Sequence, residues 1–401
     1  MIHKIALENF FSVAERQEIV LKVPGNVPDL PCFRPSRAIS EDRLPTVVGF
    51  FGANASGKST ILRAVIAVAA FARESFALQV GGAIPLFQPF MQKDWWSRPT
   101  IITIDFDGQL SADGPSFLFR YELHIAYEQE ASNYPVAKTV AFETLSYAPK
   151  GKFRRIYERK AQKFSFGKEF EITENDMRVQ SIRPNASVIS TLAQLNHKLS
   201  TDFRNSLTTM QTNIVGFDKA QTQPNNWLKF LAENPVYMEQ LNRELRRLDV
   251  GLEEMSIAQG NVGLFATFKH FGLDAPIFMN EESAGTRRFI DIFPRIHNTL
   301  ETGSVAIFDE IDADMHPLLM PEIFRWFNDP IRNPHCAQLF FTAHNPALLD
   351  ELEKEQIFLT EKGRSASTRV IGVRDIKGLR REPSLMKKYL AGELGAVPYI
   401  G

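Results

Sequence analysis

The sequence of 401 residues predicts an α/β fold, a parallel sheet covered by helices, with an antiparallel β lobe and an inserted β and helical segment. Three observations predict it. "PTVVGFF" (45–51) is a continuous apolar run suited to a buried central strand, followed at once by a Gly-rich turn and a helix over Thr60–Phe76. From "PTIITIDFDG" through "FLFRYELHIAYE", "AFETLSYA" and "FRRIYERK" the apolar period is mostly two, which reads as three to five antiparallel strands. Further on, strand and helix patterns alternate, as they do where helices cover a parallel sheet.

Taken in order, "IHKIALENF" and "EIVLKV" alternate apolar and polar residues and read as two early strands. A proline-rich loop separates them from the central strand. Between Ser187 and about Leu248 the pattern turns helical in "SVISTLAQLNHKL" and "VYMEQLNRELRRL". The last section runs "VGLFATFKHF", a helix after Ser283, "SVAIFDE", a helix over Pro321–Phe327, "AQLFFTAH", a short helix and "QIFLT". This divides the chain into residues 1–105, 106–255 and 256–401, with no internal repeat.

Composition narrows the class. With 44% apolar residues the chain can bury a sizeable core, and a formal net charge of −1 gives no bulk signal for nucleic acid. Cys32 and Cys336 match no ligand spacing and fit a reducing cytosol. The N-terminus lacks a basic region followed by a long apolar run. The longest apolar stretch, Ile61–Phe71, contains Arg63 and is too short to span a bilayer. The expectation is a soluble cytoplasmic protein with no membrane partner.

"GANASGKST" fits the spacing of a phosphate-binding loop, with Gly52, Gly57, Lys58 and Ser59 at the defining positions. The glycines let successive backbone N–H groups face a phosphate chain, Lys58 adds a point charge, and the Ser59 hydroxyl reaches Mg²⁺. Asn54, Ala55, Ser56 and Thr60 complete the expected ATP-binding set. In "SVAIFDEID", Asp309 ends an apolar strand and is expected at the metal, while Glu310 is expected to orient or deprotonate the attacking water. "LFFTAHNPALL" puts His344 at the end of another apolar strand, where an imidazole can contact the γ-phosphate. In "NEESAGTRR", Ser283 opens a helix. It reads as a cap, and together with the Gly285 N–H it also reads as an anion site.

The order of these elements resembles that of the ABC ATPases, in their SMC/RecF-like branch. Gly52–Ser59 matches Walker A, Ser283-Ala284-Gly285-Thr286 the signature, "VAIFDE" Walker B with its catalytic Glu, "IDADMHP" the D-loop, and His344 the switch histidine. "NASGKST", "ESAGTRR", "FDEIDADMHPLL", "TAHNPALLD" and "KKYLAGELGAVPYI" look like the AAA-type ATPases of abortive-infection and anti-phage systems, the AbiL and RloA types and the ATPase component of PARIS.

The resemblance implies a P-loop NTPase head split between residues 1–105 and 256–401, with 106–255 as a lid or docking region. It implies Mg-dependent ATP hydrolysis and two copies sandwiching two ATP molecules, so that Ser283–Thr286 act on the other copy's nucleotide. It also implies a separately encoded effector, such as a Toprim-type nuclease. The alternative is a DNA-repair or DNA-binding ATPase of the RecF/SMC kind.

Departures from the pattern are Thr286 in the place of Gln, His316 where many D-loops have Asp, and Phe11 where SMC-like heads often carry a basic residue. For the Q-loop residue, Gln88, Gln92, Gln180 and Asn185 are all conceivable. More than two hundred residues separate Lys58 from Ser283, with no heptad run to make a coiled coil. The basic hairpin "KGKFRRIYERKAQK" (Lys150, Lys152, Arg154, Arg155, Arg159, Lys160, Lys163) reads either as a solvated face or as a contact for nucleic-acid phosphates, and "KGLRREPSLMKKYL" carries the same two readings.

Overall fold

Alternation at the start of the chain yields β1 (Ile2–Glu8) and β2 (Gln17–Val20), paired antiparallel. The computed structural model describes every residue except 39–40, 112–113, 130–133, 215–224, 249–250, 262, 364, 380–383 and 398–401. Arg380 and Arg381 of the second basic run, and 398–400 of the C-terminal motif, therefore lie outside the described residues.

The proline-rich stretch holds a small hairpin, β3 (Phe33–Pro35) and β4 (Arg43–Pro45). β5 (Val47–Phe51) is buried along its length and turns into α1 (Lys58–Glu74). After the single turn of α2 (Lys93–Trp96) come β6 (Thr100–Gln109), β7 (Ser116–Gln129), β8 (Pro135–Ala148), β9 (Arg154–Lys160) and β10 (Lys163–Phe166). The middle section contains α3 (Val188–Gln194), α4 (Lys198–Thr208), β11 (Gln211–Thr212), α5 (Asn225–Glu233) and α6 (Pro235–Leu248). A hairpin of β12 (Leu252–Gly260) and β13 (Gly263–His270) follows, with the short β14 (Ile277–Phe278) beside it. The chain continues with α7 (Ala284–Thr302), β15 (Val305–Phe308), α8 (Leu319–Asn328), β16 (Gln338–Thr342), β17 (Ile357–Lys362), β18 (Thr368–Gly372) and α9 (Leu385–Leu390).

Two sheets organise these elements. The six-stranded sheet has the order β11-β15-β16-β5-β17-β18, and every pair in it is parallel except β17 with β18. Parallel pairing brings the carboxyl ends of β5, β15 and β16 to one edge, where such sheets bind ligands. Side-chain alternation sends Val48, Phe50, Ile307 and Phe340 into one core with α1 and the second sheet. Phe51, Phe308, Leu339 and Phe341 go into the other, with α7 and α8. The second sheet is antiparallel and seven-stranded, β10-β9-β8-β7-β6-β1-β2. β6 pairs along β1, so this lobe begins at the first strand of the chain, and residue 106 lies inside β6.

Three local departures from the sequence-based expectations have simple causes. α1 begins two residues early because Gly57 takes a left-handed turn directly into it. The helical pattern after Ser187 breaks at Asn196 (φ 60°), and His197 caps a separate α4. β12 escapes the periodicity argument because charged and small residues dominate "LEEMSIAQG", and residue 255 falls within it. Among the described residues no helix is long and apolar enough to cross a membrane.

Candidate nucleotide site

The turn after β5 is shaped by what lies behind it. A side chain at Gly52 would put its Cβ 2.3 Å from the Thr360 carbonyl oxygen, and one at Gly57 would come within 2.0 Å of Thr368 Oγ1. Gly57 also holds φ +105°, so both steric room and backbone conformation demand glycine there. Ser56 Oγ lies 2.6 Å from Thr360 Oγ1, and Thr60 Oγ1 lies 2.8 Å from Ser12 Oγ. Ser56 and Thr60 therefore fasten the loop from below, while Asn54 and Ala55 stay exposed on its rim.

The loop fits a polyphosphate. α1 has no side-chain cap, and the N–H groups of Gly57, Lys58 and Ser59 donate to no described residue. Lys58 is only 5% exposed, and its ammonium donates to the Gly52 and Ala53 carbonyls at 2.9 and 3.2 Å. Burial lowers its pKa, against the opposing pull of Glu310, Asp309 and Asp312. A buried ammonium in contact with neutral carbonyls alone, beside open N–H groups at the start of a long helix, is a setting for an anion.

Asp309 sits at the carboxyl end of β15 under several constraints. Its Oδ1 accepts from Ser59 Oγ at 2.9 Å and from Thr342 Oγ1 at 2.6 Å. Thr342 Oγ1 in turn accepts from the Glu310 N–H at 2.7 Å. One hydroxyl thus positions both carboxylate residues. Glu310 adopts φ +47°, an uncommon conformation for a residue with a side chain. His344 Nε2 lies 3.1 Å from Glu310 Oε1, and the N–H groups of His344 and Asn345 both donate to Asp312 Oδ2, at 3.0 and 2.8 Å. Ser59 and Asp309 present two oxygens to a hard cation. Among the described residues no group of three or more His, Cys, Asp or Glu forms a cage. Mg²⁺ needs none, because phosphate and water complete its shell.

Sequence reasoning missed Thr342 and Asn213. Asn213 follows β11, the edge strand beside β15; its amide donates to the Asp309 carbonyl at 2.7 Å and accepts from the Asp309 N–H at 2.8 Å. It shares a cleft of about 670 Å³ with Asp309, Glu310, Asp314, Arg63 and Arg288. Two of the four Q-loop candidates are engaged elsewhere: Gln92 donates to the Ser365 carbonyl, and Asn185 to those of Gln79 and Gly82. Only the parallel pairing of β11 with β15 reveals Asn213, and no local motif announces it. Phe11 lines the same cleft, with the Arg63 guanidinium 5.8 Å from its ring centroid.

Ser283 makes only local hydrogen bonds among the described residues. It is the exposed N-cap of α7; its Oγ accepts from the Thr286 N–H at 3.0 Å and lies 2.8 Å from Thr286 Oγ1. The preceding residue, Glu282, is buried and bound to His270 Nε2 at 2.6 Å, which ties the cap to the end of β13. Gly285 has a structural reason of its own, since a Cβ there would come 2.8 Å from the Asp314 carbonyl oxygen. Among the described residues no hydrogen bond joins Ser283 or Gly285 to Gly52–Thr60. His316 is exposed, and its Nδ1 accepts from the Leu318 N–H in a local turn.

The basic hairpin differs from its sequence reading at one position. Arg159 is fully buried, donating to the carbonyls of Ala161, Arg183 and Ala186, with Nη1 3.6 Å from Glu143 Oε2. It is unavailable to nucleic acid. Arg155 and Lys160 are exposed but share Glu158 as a partner, at 3.8 and 3.1 Å.

Residues 47–350 match the family model described as "AAA domain, putative AbiEii toxin, Type IV TA system". Among solved structures, the SMC head domain from Thermotoga maritima is similar at 12% identity and a TM-score of 0.40, over 92% of this chain and 98% of that one. No curated protein matches the chain.

Proposed function

The chain belongs to the AAA-domain ATPase family of the AbiEii type, and from that premise we propose that it is a Mg-dependent ATP switch of an anti-phage, abortive-infection system. The observation that carries the switch reading is that Ser283 caps α7 in the open while, among the described residues, no hydrogen bond joins it to the loop that holds Lys58. One edge of the sheet gathers Lys58, Ser59, Asp309, Glu310 and His344, while Ser283, the exposed cap of α7, shares no hydrogen bond with them among the described residues. Two copies placed face to face complete both halves, each Ser283–Thr286 capping the nucleotide held by the other's Lys58.

MgATP bound at this edge supplies the phosphoryl group to be transferred and a cation that neutralises its charge. The chain's own groups then divide the work. The loop Gly52–Thr60 holds the phosphates, Ser59 and Asp309 hold the metal, and Asn213 and Thr342 fix Asp309. Glu310 orients and deprotonates the attacking water, and the 3.1 Å contact with His344 holds its carboxylate in line. Residues 106–255, apart from β11 and Asn213, which belong to the sheet edge that forms the site, serve as the lid or docking region, and closure of the two copies is the signal that a separately encoded effector reads.

The defence role draws on the toxin–antitoxin description of the family. Phage plating on cells carrying the operon tests it. Lys58→Ala and Glu310→Gln should each abolish protection, whereas full protection by both variants would exclude an ATP switch in this role.

A further inference from the structure

The C-terminal segment touches the phosphate-binding loop. The Ala53 N–H donates to the Ala396 carbonyl at 3.2 Å, and the Tyr389 hydroxyl reaches the same oxygen at 3.2 Å. Leu394 and Ala396 are buried in the core face that includes Val47 and Phe51, the two ends of β5. At its other end the segment is fastened to the turn that follows His344. Ser384 Oγ donates to Asp350 Oδ2, and the Met386 N–H to Asp350 Oδ1, both at 2.9 Å. Asp350 belongs to the helical turn Pro346–Glu351, whose approach is set by Asp312 through the N–H groups of His344 and Asn345.

We propose that Ser384–Ala396 is a positioning strap that holds the phosphate-binding loop ready for nucleotide and links it to the His344 turn. The local geometry carries the argument. The bond to Ala396 fixes the Gly52–Ala53 peptide, whose Gly52 carbonyl receives the Lys58 ammonium together with the carbonyl of Ala53. A loop fixed in this way loses less conformational freedom when phosphates arrive. Because the strap's far end rests on Asp350, a shift of the His344 turn is passed to the loop through α9 as well as through the pairing of β16 with β5.

The proposal rests on the nucleotide reading, so its test begins without nucleotide. Amide hydrogen exchange across residues 52–57 is measured in the full chain for wild type, Asp350→Ala, Leu394→Asp and the double variant. Each single variant should speed exchange about tenfold, and the double no more than the faster single, because both cut one strap. Binding of a fluorescent ATP analogue should weaken roughly fivefold, with kcat at saturating ATP held within about twofold of wild type. Should Leu394→Asp fail to fold, Ser384→Ala replaces it, removing one bond to Asp350 from the outside. Wild-type exchange in Asp350→Ala, or additive effects in the double variant, would overturn the strap. Failure of the wild-type chain to bind the analogue would count against the nucleotide reading and leave the exchange result standing.

Discussion

Glu310→Gln should leave MgATP binding within a few-fold of wild type while kcat falls by about 10²–10³-fold. The asymmetry follows from the division of labour at the end of β15. Asp309, Ser59 and Thr342 form a hydrogen-bonded unit that does not involve the Glu310 carboxylate, so the oxygens proposed to hold the metal stay in place. The Glu310 backbone is held by Thr342 through its N–H, which an amide side chain does not disturb. What changes is the charge that receives the water's proton, and an amide is a poor base. His344 keeps a hydrogen-bonding partner at about the same distance. A phosphate-release assay beside an equilibrium binding measurement separates the two effects. Equal turnover in variant and wild type would remove Glu310 from its role, and a parallel loss of binding would make it part of the metal site instead.

The second large effect is on stability. Glu143→Ala should destabilise the antiparallel lobe by about 3–5 kcal/mol, because it strands a buried guanidinium. The Glu143 carboxylate is fully buried, accepting from the hydroxyls of Tyr121 and Tyr157 at 2.9 and 2.8 Å and from the Val188 N–H at 3.0 Å. Burial raises its pKa, against the pull of Arg159, while burial lowers that of Arg159 against the pull of Glu143. Removing one partner leaves the other's desolvation uncompensated. Replacing both, as Glu143→Leu with Arg159→Met, should recover a large part of the loss.

The consequence reaches the nucleotide site. α3, whose first N–H Glu143 accepts, docks beside α1: the Ser187 N–H donates to Ser75 Oγ, and Arg183 donates to the Phe76 and Leu78 carbonyls. Thermal unfolding of the single and the double variant measures the effect. A Glu143→Ala loss under about 1 kcal/mol would mean that the carbonyls of Ala161, Arg183 and Ala186 suffice to hold the buried guanidinium.

The candidate site is legible in the sequence wherever its residues are consecutive. Gly52–Ser59 carries its own turn chemistry, and Asp309 and His344 stand where apolar strands stop. Ser283 reads as a helix start because a capping side chain precedes an amphipathic run. Asn213 and Thr342 were hidden because their importance is relational. An asparagine after a two-residue strand and a threonine within an apolar one acquire meaning only when β11 and β16 flank β15. Arg159 was misread for the converse reason. A strand's alternation tells which face a residue takes, but its charged neighbours suggested solvent while its partner lay in β8. The antiparallel lobe was visible as period-two segments, yet its continuity with β1 is a matter of strand pairing that no local pattern encodes.

The central claim is that the nucleotide site is completed by a second copy of the chain, and sedimentation velocity tests it most directly. The Glu310→Gln chain, which should bind MgATP without consuming it, is run with and without MgATP, alone and combined with Ser283→Arg. The account predicts a nucleotide-dependent shift to a dimer for Glu310→Gln, lost when Ser283→Arg is added although nucleotide still binds. A nucleotide-loaded monomer in Glu310→Gln, or an undiminished dimer with Ser283→Arg, would contradict it.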